Sequence, residues 1–156
     1  MRTLAPELEQ KCKADLKRHE GIVLKTYVDS EGHLTFGIGH LITPDDFEWG
    51  FPAGIIVPME RVERVFDIDF KNAIDTAVSI IPDLMDHPEN VQRVLINMAF
   101  NLGYRKLNKF KKMIKAINNR DYLTAAKEMI DSKWYGQVKT RGVELVALMR
   151  GDTDAS

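Results

Sequence analysis

The sequence predicts an α+β protein, mainly α. A small N-terminal lobe built on a β-hairpin is joined by a long helix to a larger helical C-terminal lobe. Three observations carry this reading. Strand-like alternation is confined to "LKTYV" and "HLTFGI", which flank "DSEG". An apolar stripe at helical spacing runs from Val62 to Ile81. Beyond Pro82 every apolar pattern has the helical period. All of 1–156 reads as a single domain, with lobes at about 15–58 and 83–156 plus the N-terminal helix, and a linking helix at about 59–81.

The elements follow in order. Pro6 suits a first helical turn, Leu8, Cys12 and Leu16 recur at spacing four, and Gly21 suits a left-handed cap, so a helix is expected from Pro6 to His19. In the return strand Leu34, Phe36 and Ile38 alternate with His33, Thr35 and Gly37. Asp29 first and Gly32 fourth suit a four-residue turn, and a third strand is possible after it. "TPDD" at 43–46 resembles an N-cap followed by proline, so a short helix is expected there, interrupted by Gly50, Pro52 and Gly54. After Pro58, the residues Val62, Phe66, Phe70, Ala73, Ala77 and Ile81 form one stripe; about 23 residues of helix would span roughly 35 Å. Val91, Val94, Leu95, Met98, Ala99 and Leu102 form a wide apolar face that Gly103 ends, so this helix is expected to be central. Phe110, Met113, Ile114 and Ile117 mark the next helix. Asp121 caps another carrying Leu123, Ala126, Met129 and Ile130. "SKWYGQ" breaks the pattern, and Val143, Val146 and Met149 lie on a last helix.

Composition narrows the function classes. Hydrophobic residues make up 44% and charged residues 29%, as in an ordinary soluble globular protein. The single cysteine, Cys12, forbids an internal disulfide; it lies on an apolar stripe, so a buried, unreactive thiol is expected. The start shows no apolar run of signal-peptide length, and no stretch approaches a membrane span, so no stable membrane insertion is expected. The net charge of −1 hides a split: +2 over 1–28, −10 over 29–90 and +7 over 91–156. Arg105, Lys106, Lys109, Lys111, Lys112, Lys115 and Arg120 form the densest basic cluster. It is either a solvated helix face or a patch for an anionic cell wall or outer-membrane surface. Without aromatic interleaving or a nucleic-acid motif, no nucleic acid is expected as partner.

The run "RHEGIVLKTYVDSEGHLTFGIGHLIT" carries the chemistry. Glu20 falls where the first helix ends, at the negative pole of its dipole. Asp29 lies one short strand away, at the turn. If Leu34 and Phe36 face the lobe's core, Thr35 faces outward. Two carboxylates in different environments are what glycosidic hydrolysis requires. Each residue alone has an ordinary alternative: Asp29 as a turn residue, Glu20 as a helix end, Thr35 as a strand residue. His33 and His40, seven apart with no cysteine companion, make a weak metal set, so no metal and no cofactor are expected.

The spacing Glu20, Asp29, Thr35 within "HEGIVLKTYVDSEGHLTFGIGH" closely resembles the phage-type lysozymes of glycoside hydrolase family 24. The resemblance continues in "RVLINMAFNLG" at 93–103 and "SKWYGQVKTRG" at 132–142, covering nearly the whole chain. It implies a lysozyme-like fold of two lobes joined by a long helix. It also implies hydrolysis of the β-1,4 bond between N-acetylmuramic acid and N-acetylglucosamine in bacterial peptidoglycan. Carried over by position, Glu20 is the general acid, while Asp29 and Thr35 hold and activate a water in an inverting displacement. Arg141 matches an arginine that pairs with the catalytic glutamate. Leu41, Phe100 and Asn101 match substrate-binding positions, although the best-known family member has a glutamine where Asn101 stands. His40 and Asp69 fall where the family forms a buried charge pair, and Trp134 reads as an ordinary core tryptophan. Residues 45–58 depart most from the family.

The expected role is that of a monomeric endolysin, made in the host cytoplasm without a signal peptide and released through a holin-type pore to the peptidoglycan of the periplasm. Two rivals stay open. One is a non-enzymatic glycan-binding or virion module; the other keeps the chemistry but acts on chitin or another N-acetylhexosamine polymer.

Overall fold

The computed structural model describes residues 4–152. Residues 1–3 and 153–156, which the expected domain includes, lie outside the described residues. The chain forms two compact units, one of Lys13–Asn72 and one made of the chain up to Cys12 and from Ala73 onward. The fold is α+β and mainly helical, with one small antiparallel sheet.

The smaller unit begins within helix α1 (Pro6–Glu20), one residue longer than expected and ended by Gly21 at φ +73°. Strands β1 (Val23–Val28), β2 (Leu34–Gly37) and β3 (His40–Leu41) follow in sheet order β1-β2-β3, so the possible third strand is present. The hairpin turn closes as the sequence implied: Gly32 N–H donates to the Asp29 carbonyl at 3.0 Å. The outer edge of β1 is not left open. Thr26 N–H donates to Ile55 O at 2.8 Å and Val57 N–H to Leu24 O at 2.9 Å, so residues 54–57 run along it. Leu16, Phe36, Ile38, Val57, Val62, Phe66 and Phe70 are buried in this unit. Each such side chain contributes about 1.5–3 kcal/mol of burial.

Two local expectations fail in this unit. Thr35, on the face it shares with exposed Leu41, is covered rather than open: it is 2% exposed, while Leu34 is half-buried. β2 is the central strand, and Thr35 pairs with Tyr27 on one side and Leu41 on the other, so two larger neighbours shoulder it. No helix forms after Thr43; residues 44–50 are turns. Asp46, expected near a helix start, is a turn staple instead, its Oδ2 accepting from Thr43 N–H at 2.8 Å.

Helix α2 (Met59–Ile80) carries the expected stripe, with Val62, Phe66, Phe70, Ala73, Ala77 and Ile81 all buried. In the larger unit, a short 3₁₀ turn (Leu84–Asp86) leads to α3 (Glu89–Leu107), whose Val91, Val94, Leu95, Ile96 and Met98 are fully buried. That helix is central, and Gly103, at φ +75° and ψ 174°, breaks it. After it come α4 (Lys111–Asn118), α5 (Tyr122–Ile130), α6 (Lys133–Val138) and α7 (Thr140–Arg150), with α7 packed against α3 and α5 against α4 and α7. Asp121 caps α5 as read, accepting from Thr124 N–H at 3.1 Å. "SKWYGQ" does not break the helical pattern: Ser132 caps α6 by accepting from Tyr135 N–H, so its polar residues serve a helix start. Leu123 and Val143 are exposed rather than core, because α5 and α7 bury the faces carrying Ala125, Ala126 and Met129, and Leu145, Val146 and Met149. Cys12 is buried.

A charge cluster fixes the small unit behind β3. His40 Nδ1 lies 2.7 Å from Asp69 Oδ2, which is the pair the resemblance implied, and its Nε2 lies 2.8 Å from Asp46 Oδ2. Arg61 forks onto Glu48 with two bonds of 2.7 Å and reaches Asp46 at 3.5 Å. Burial pulls the His40 pKa down, but the hydrogen bonds and charges of Asp69 and Asp46 outweigh it and the net shift is upward. Burial pushes Asp46 up, yet the Thr43 amide and His40 bring it below the usual carboxylate range. The Arg61 hydrogen bonds hold Glu48 down as well.

The signs define a pH window. A raised His40 stabilises fully below its unfolded pKa of about 6.5 and loses this as pH rises through the folded value. Lowered Asp46 and Glu48 stabilise above about pH 4 and lose this as pH falls through their folded values. Thermal unfolding across pH should therefore show maximal stability between these limits. His40→Asn should cost on the order of 3 kcal/mol near neutrality and flatten the alkaline arm; an unchanged alkaline arm would refute the assignment.

Candidate active site

The small unit alone holds Glu20, Asp29, Thr35 and Leu41. Glu20 is the last residue of α1. Asp29 immediately follows β1, and its carboxylate is locked by the turn it begins. Oδ1 accepts from Glu31 N–H at 2.9 Å and from His33 N–H at 2.8 Å, while the Asp29 amide donates to His33 O at 2.8 Å. His33 Nδ1 stands 3.8 Å from Oδ2. His33 thus belongs to the turn. Thr35 Oγ1 donates to His33 O at 2.9 Å, so its hydroxyl proton is committed and its lone pairs remain to accept.

The strand register arranges a row across the sheet: Tyr27, Thr35 and Leu41 are successive cross-strand partners. Leu41 is 49% exposed and forms an apolar rim beside buried Thr35. Tyr27 was missed in the sequence. Its pKa is raised first by burial and then by the negative charges of Glu20 and Asp29. Both carboxylates therefore lie within electrostatic reach of one phenol, which stays protonated as a hydrogen-bond donor. No spacing in the sequence marks it: its place follows from the strand register that sets it opposite Thr35.

Gly39, in the turn between β2 and β3, presses against Glu20. A Cβ built on it would overlap Glu20 Oε1 and lie 2.7 Å from Glu20 Cδ. With φ at +64° and no side chain, Gly39 is the backbone wall on which the carboxyl rests.

The other predicted positions lie in the helical unit. Arg141, on α7, donates from Nε to Asn97 Oδ1 at 2.8 Å, and Asn97 is buried. Asn97 thus orients the guanidinium and was not singled out in the sequence. Asn101 accepts from Trp134 Nε1–H at 2.8 Å, and Phe110 meets the Trp134 ring edge-on at 6.1 Å. The tryptophan is a core residue, as read, but its polar edge ties α6 to α3. Phe100 is half-buried on α3. Four lysines of the basic cluster, Lys106, Lys109, Lys111 and Lys112, line a hollow of about 690 Å³ together with Lys133, Phe110, Met113, Trp134, Glu128 and Asp131.

The small unit brings a helix-end carboxyl group, a turn-locked aspartate and a strand threonine into one short stretch of chain, and the family match gives the class: a glycoside hydrolase of the lysozyme type. The phage lysozyme family matches residues 17–150, and the chain belongs to it. It is a lysozyme, a glycoside hydrolase that cleaves peptidoglycan. The chain is 30% identical to probable T4-type lysozyme 2 of Dictyostelium discoideum, over 88% of its own length and 92% of that protein. It is also 30% identical to the pre-baseplate central spike protein Gp5 of Enterobacteria phage T4, over 86% of this chain but 26% of Gp5. Peptidoglycan hydrolase gp36 of Pseudomonas phage phiKMV is 25% identical over 88% of this chain and 15% of that protein.

The contact between Gly39 and Glu20 yields a direct test. Gly39→Ala should displace the Glu20 carboxyl and lower kcat/KM by about 100-fold. Left-handed strain alone costs about 1–2 kcal/mol, and Gly54→Ala, also at positive φ but with open space around its Cβ, supplies the control. Equal activity in the two variants would show that Gly39 does not position Glu20.

Proposed function

We propose that this lysozyme is an endolysin, an N-acetylmuramidase that inverts the anomeric centre. The observation that carries the reading is the fixed Asp29 carboxylate beside Tyr27 and Thr35 on the sheet, with Glu20 held at the adjacent helix end. Glu20 donates its proton to the glycosidic oxygen as the C1–O bond breaks. A water on the opposite face of the sugar attacks C1 and gives up its proton to Asp29. Thr35, already donating to His33 O, accepts a hydrogen bond from that water and orients it. The product is a new reducing end of inverted configuration.

Tyr27 acts in this scheme as a positioning residue, a neutral donor between two acids. Leu41 on the small unit, and Phe100 and Asn101 on the helical unit, each offer substrate contacts, and Arg141 is held by Asn97 as a supporting cation. Asn101 already spends its amide oxygen on Trp134, so its amide nitrogen would face the glycan. The lysine-lined hollow holds anionic groups of the cell wall or outer membrane, consistent with the +7 charge of 91–156. The protein acts as a monomer in host lysis, reaching the periplasm through a holin-type pore. The likeness to Gp5, a spike protein, favours a second reading in which the same chemistry serves a virion. The enzyme's presence in purified virions, rather than only in lysates, would decide for that one.

Two measurements test the chemistry. Glu20→Gln should lower turnover of isolated peptidoglycan by about 10²–10⁴-fold, with proton NMR of the wild-type products showing the inverted anomer first. A retained anomer, or anhydro ends by mass spectrometry, would overturn the mechanism. Tyr27→Phe should lower kcat/KM by about tenfold and shift the pH–rate profile while leaving thermal stability close to wild type. An unaltered profile would remove Tyr27 from the site.

A further inference from the structure

The segment after β3 inverts the usual order of a folded chain. Asp46 and Glu48 point inward, into the charge cluster with His40 and Arg61, and Glu48 is 3% exposed. The alternate residues Phe47, Trp49 and Phe51 point outward, at 75%, 54% and 47% exposure. Phe47 and Phe51 stack on each other, with centroids 5.6 Å apart and planes inclined by 30°. Further along, Ile56 is 80% exposed.

This presentation is built rather than loose. The loop has no regular element, yet Trp49 N–H donates to Asp46 O, Phe51 N–H to Glu48 O, and Arg61 clamps Glu48 with two short bonds. Buried ion pairs hold aromatic rings in water, an arrangement that serves a partner better than it serves the core. Charge narrows the partner. Residues 42–60 contain Asp45, Asp46, Glu48 and Glu60 and no lysine or arginine, so an anionic lipid surface or polyanion is repelled. A neutral glycan fits. The C–H faces of pyranose rings lie on aromatic rings, and an exposed carboxylate such as Asp45 accepts from sugar hydroxyls. The same small unit carries Glu20 and Asp29.

We propose that Phe47, Trp49 and Phe51 form an accessory glycan-binding platform on the small unit, contacting the N-acetylhexosamine backbone of the wall polymer outside the catalytic residues. The proposal rests on the reading of this chain as a peptidoglycan hydrolase. The platform retains the enzyme on an insoluble strand between cuts and takes no part in bond cleavage.

The test uses a Glu20→Gln protein, which binds without turnover, and the same protein with Phe47→Ser and Trp49→Ser. Both positions are exposed, and matching thermal unfolding would show that the fold is kept. The probe is stem-free glycan strands prepared by amidase digestion of peptidoglycan, measured by titration calorimetry. The loop changes should weaken binding by about tenfold. In the catalytically intact protein they should slow hydrolysis of insoluble wall while leaving kcat on short soluble oligosaccharides unchanged. Equal affinity with and without the rings would overturn the proposal. So would loss, on the same changes, of self-association or of binding to zwitterionic vesicles while glycan binding persists, since the occupant would then be a second copy or a bilayer. If Glu20→Gln leaves hydrolysis intact, the catalytic reading fails, and the platform is then judged by the ratio of insoluble-wall to soluble-oligosaccharide hydrolysis with and without the rings, an unchanged ratio overturning it.

Discussion

The small unit depends on one carboxylate. Asp29 Oδ1 receives two backbone N–H groups across the turn, and those bonds set the angle at which β2 returns along β1. That return fixes Thr35 opposite Tyr27, and the next turn fixes Leu41 opposite Thr35. A four-residue central strand has little else to define its register. The proposed base is therefore also the staple of the sheet that carries its partners. One oxygen is spent on structure, and the other is left for chemistry. Charge-assisted bonds to backbone amides are about twice as strong as neutral ones, which suits a residue that must not rotate while it accepts a proton.

The same unit shows a second exchange of stability for presentation. Its core is small, and yet Phe47, Trp49 and Phe51 are kept out of it. What holds the loop instead is the cluster of His40, Asp46, Asp69, Glu48 and Arg61. Buried ion pairs of this kind add modest net stability but are costly to break singly. They specify one conformation where apolar packing would draw the rings inward. The cost is a dependence on pH that a core of aromatics would lack.

Much of this was legible in the sequence because it rests on local rules. The stripe from Val62 to Ile81, the Asp29–Gly32 turn, the Gly103 break and the Asp121 cap each follow from a side chain and its immediate neighbours. Thr35 was misplaced because period-two alternation decides which face a residue takes, not how tall its cross-strand neighbours are. The turn at 43–46 was misread for a related reason: Asp46 can cap a helix or staple a turn, and the choice was made by His40 across the chain. Tyr27 and Asn97 escaped notice because their significance lies in register and tertiary pairing, which no spacing encodes. Gly39 gives no signal of its own in the sequence; its nearness to Glu20 emerges only from the fold.

The division of the chain matches a division of tasks. Glu20, Tyr27, Asp29, Thr35 and the aromatic loop all belong to the unit of Lys13–Asn72, which carries a net charge of −4. The lysine-lined hollow, Arg141 and Asn97 belong to the helical unit, which carries a net charge of +3. Peptidoglycan has both a neutral sugar backbone and charged substituents, so under the proposed reading a surface of each character would engage a different part of the same polymer. The proposed acid and base lie on the acidic unit and the lysines that would hold anionic groups lie on the other, which gives a physical reason for a single polypeptide to carry both.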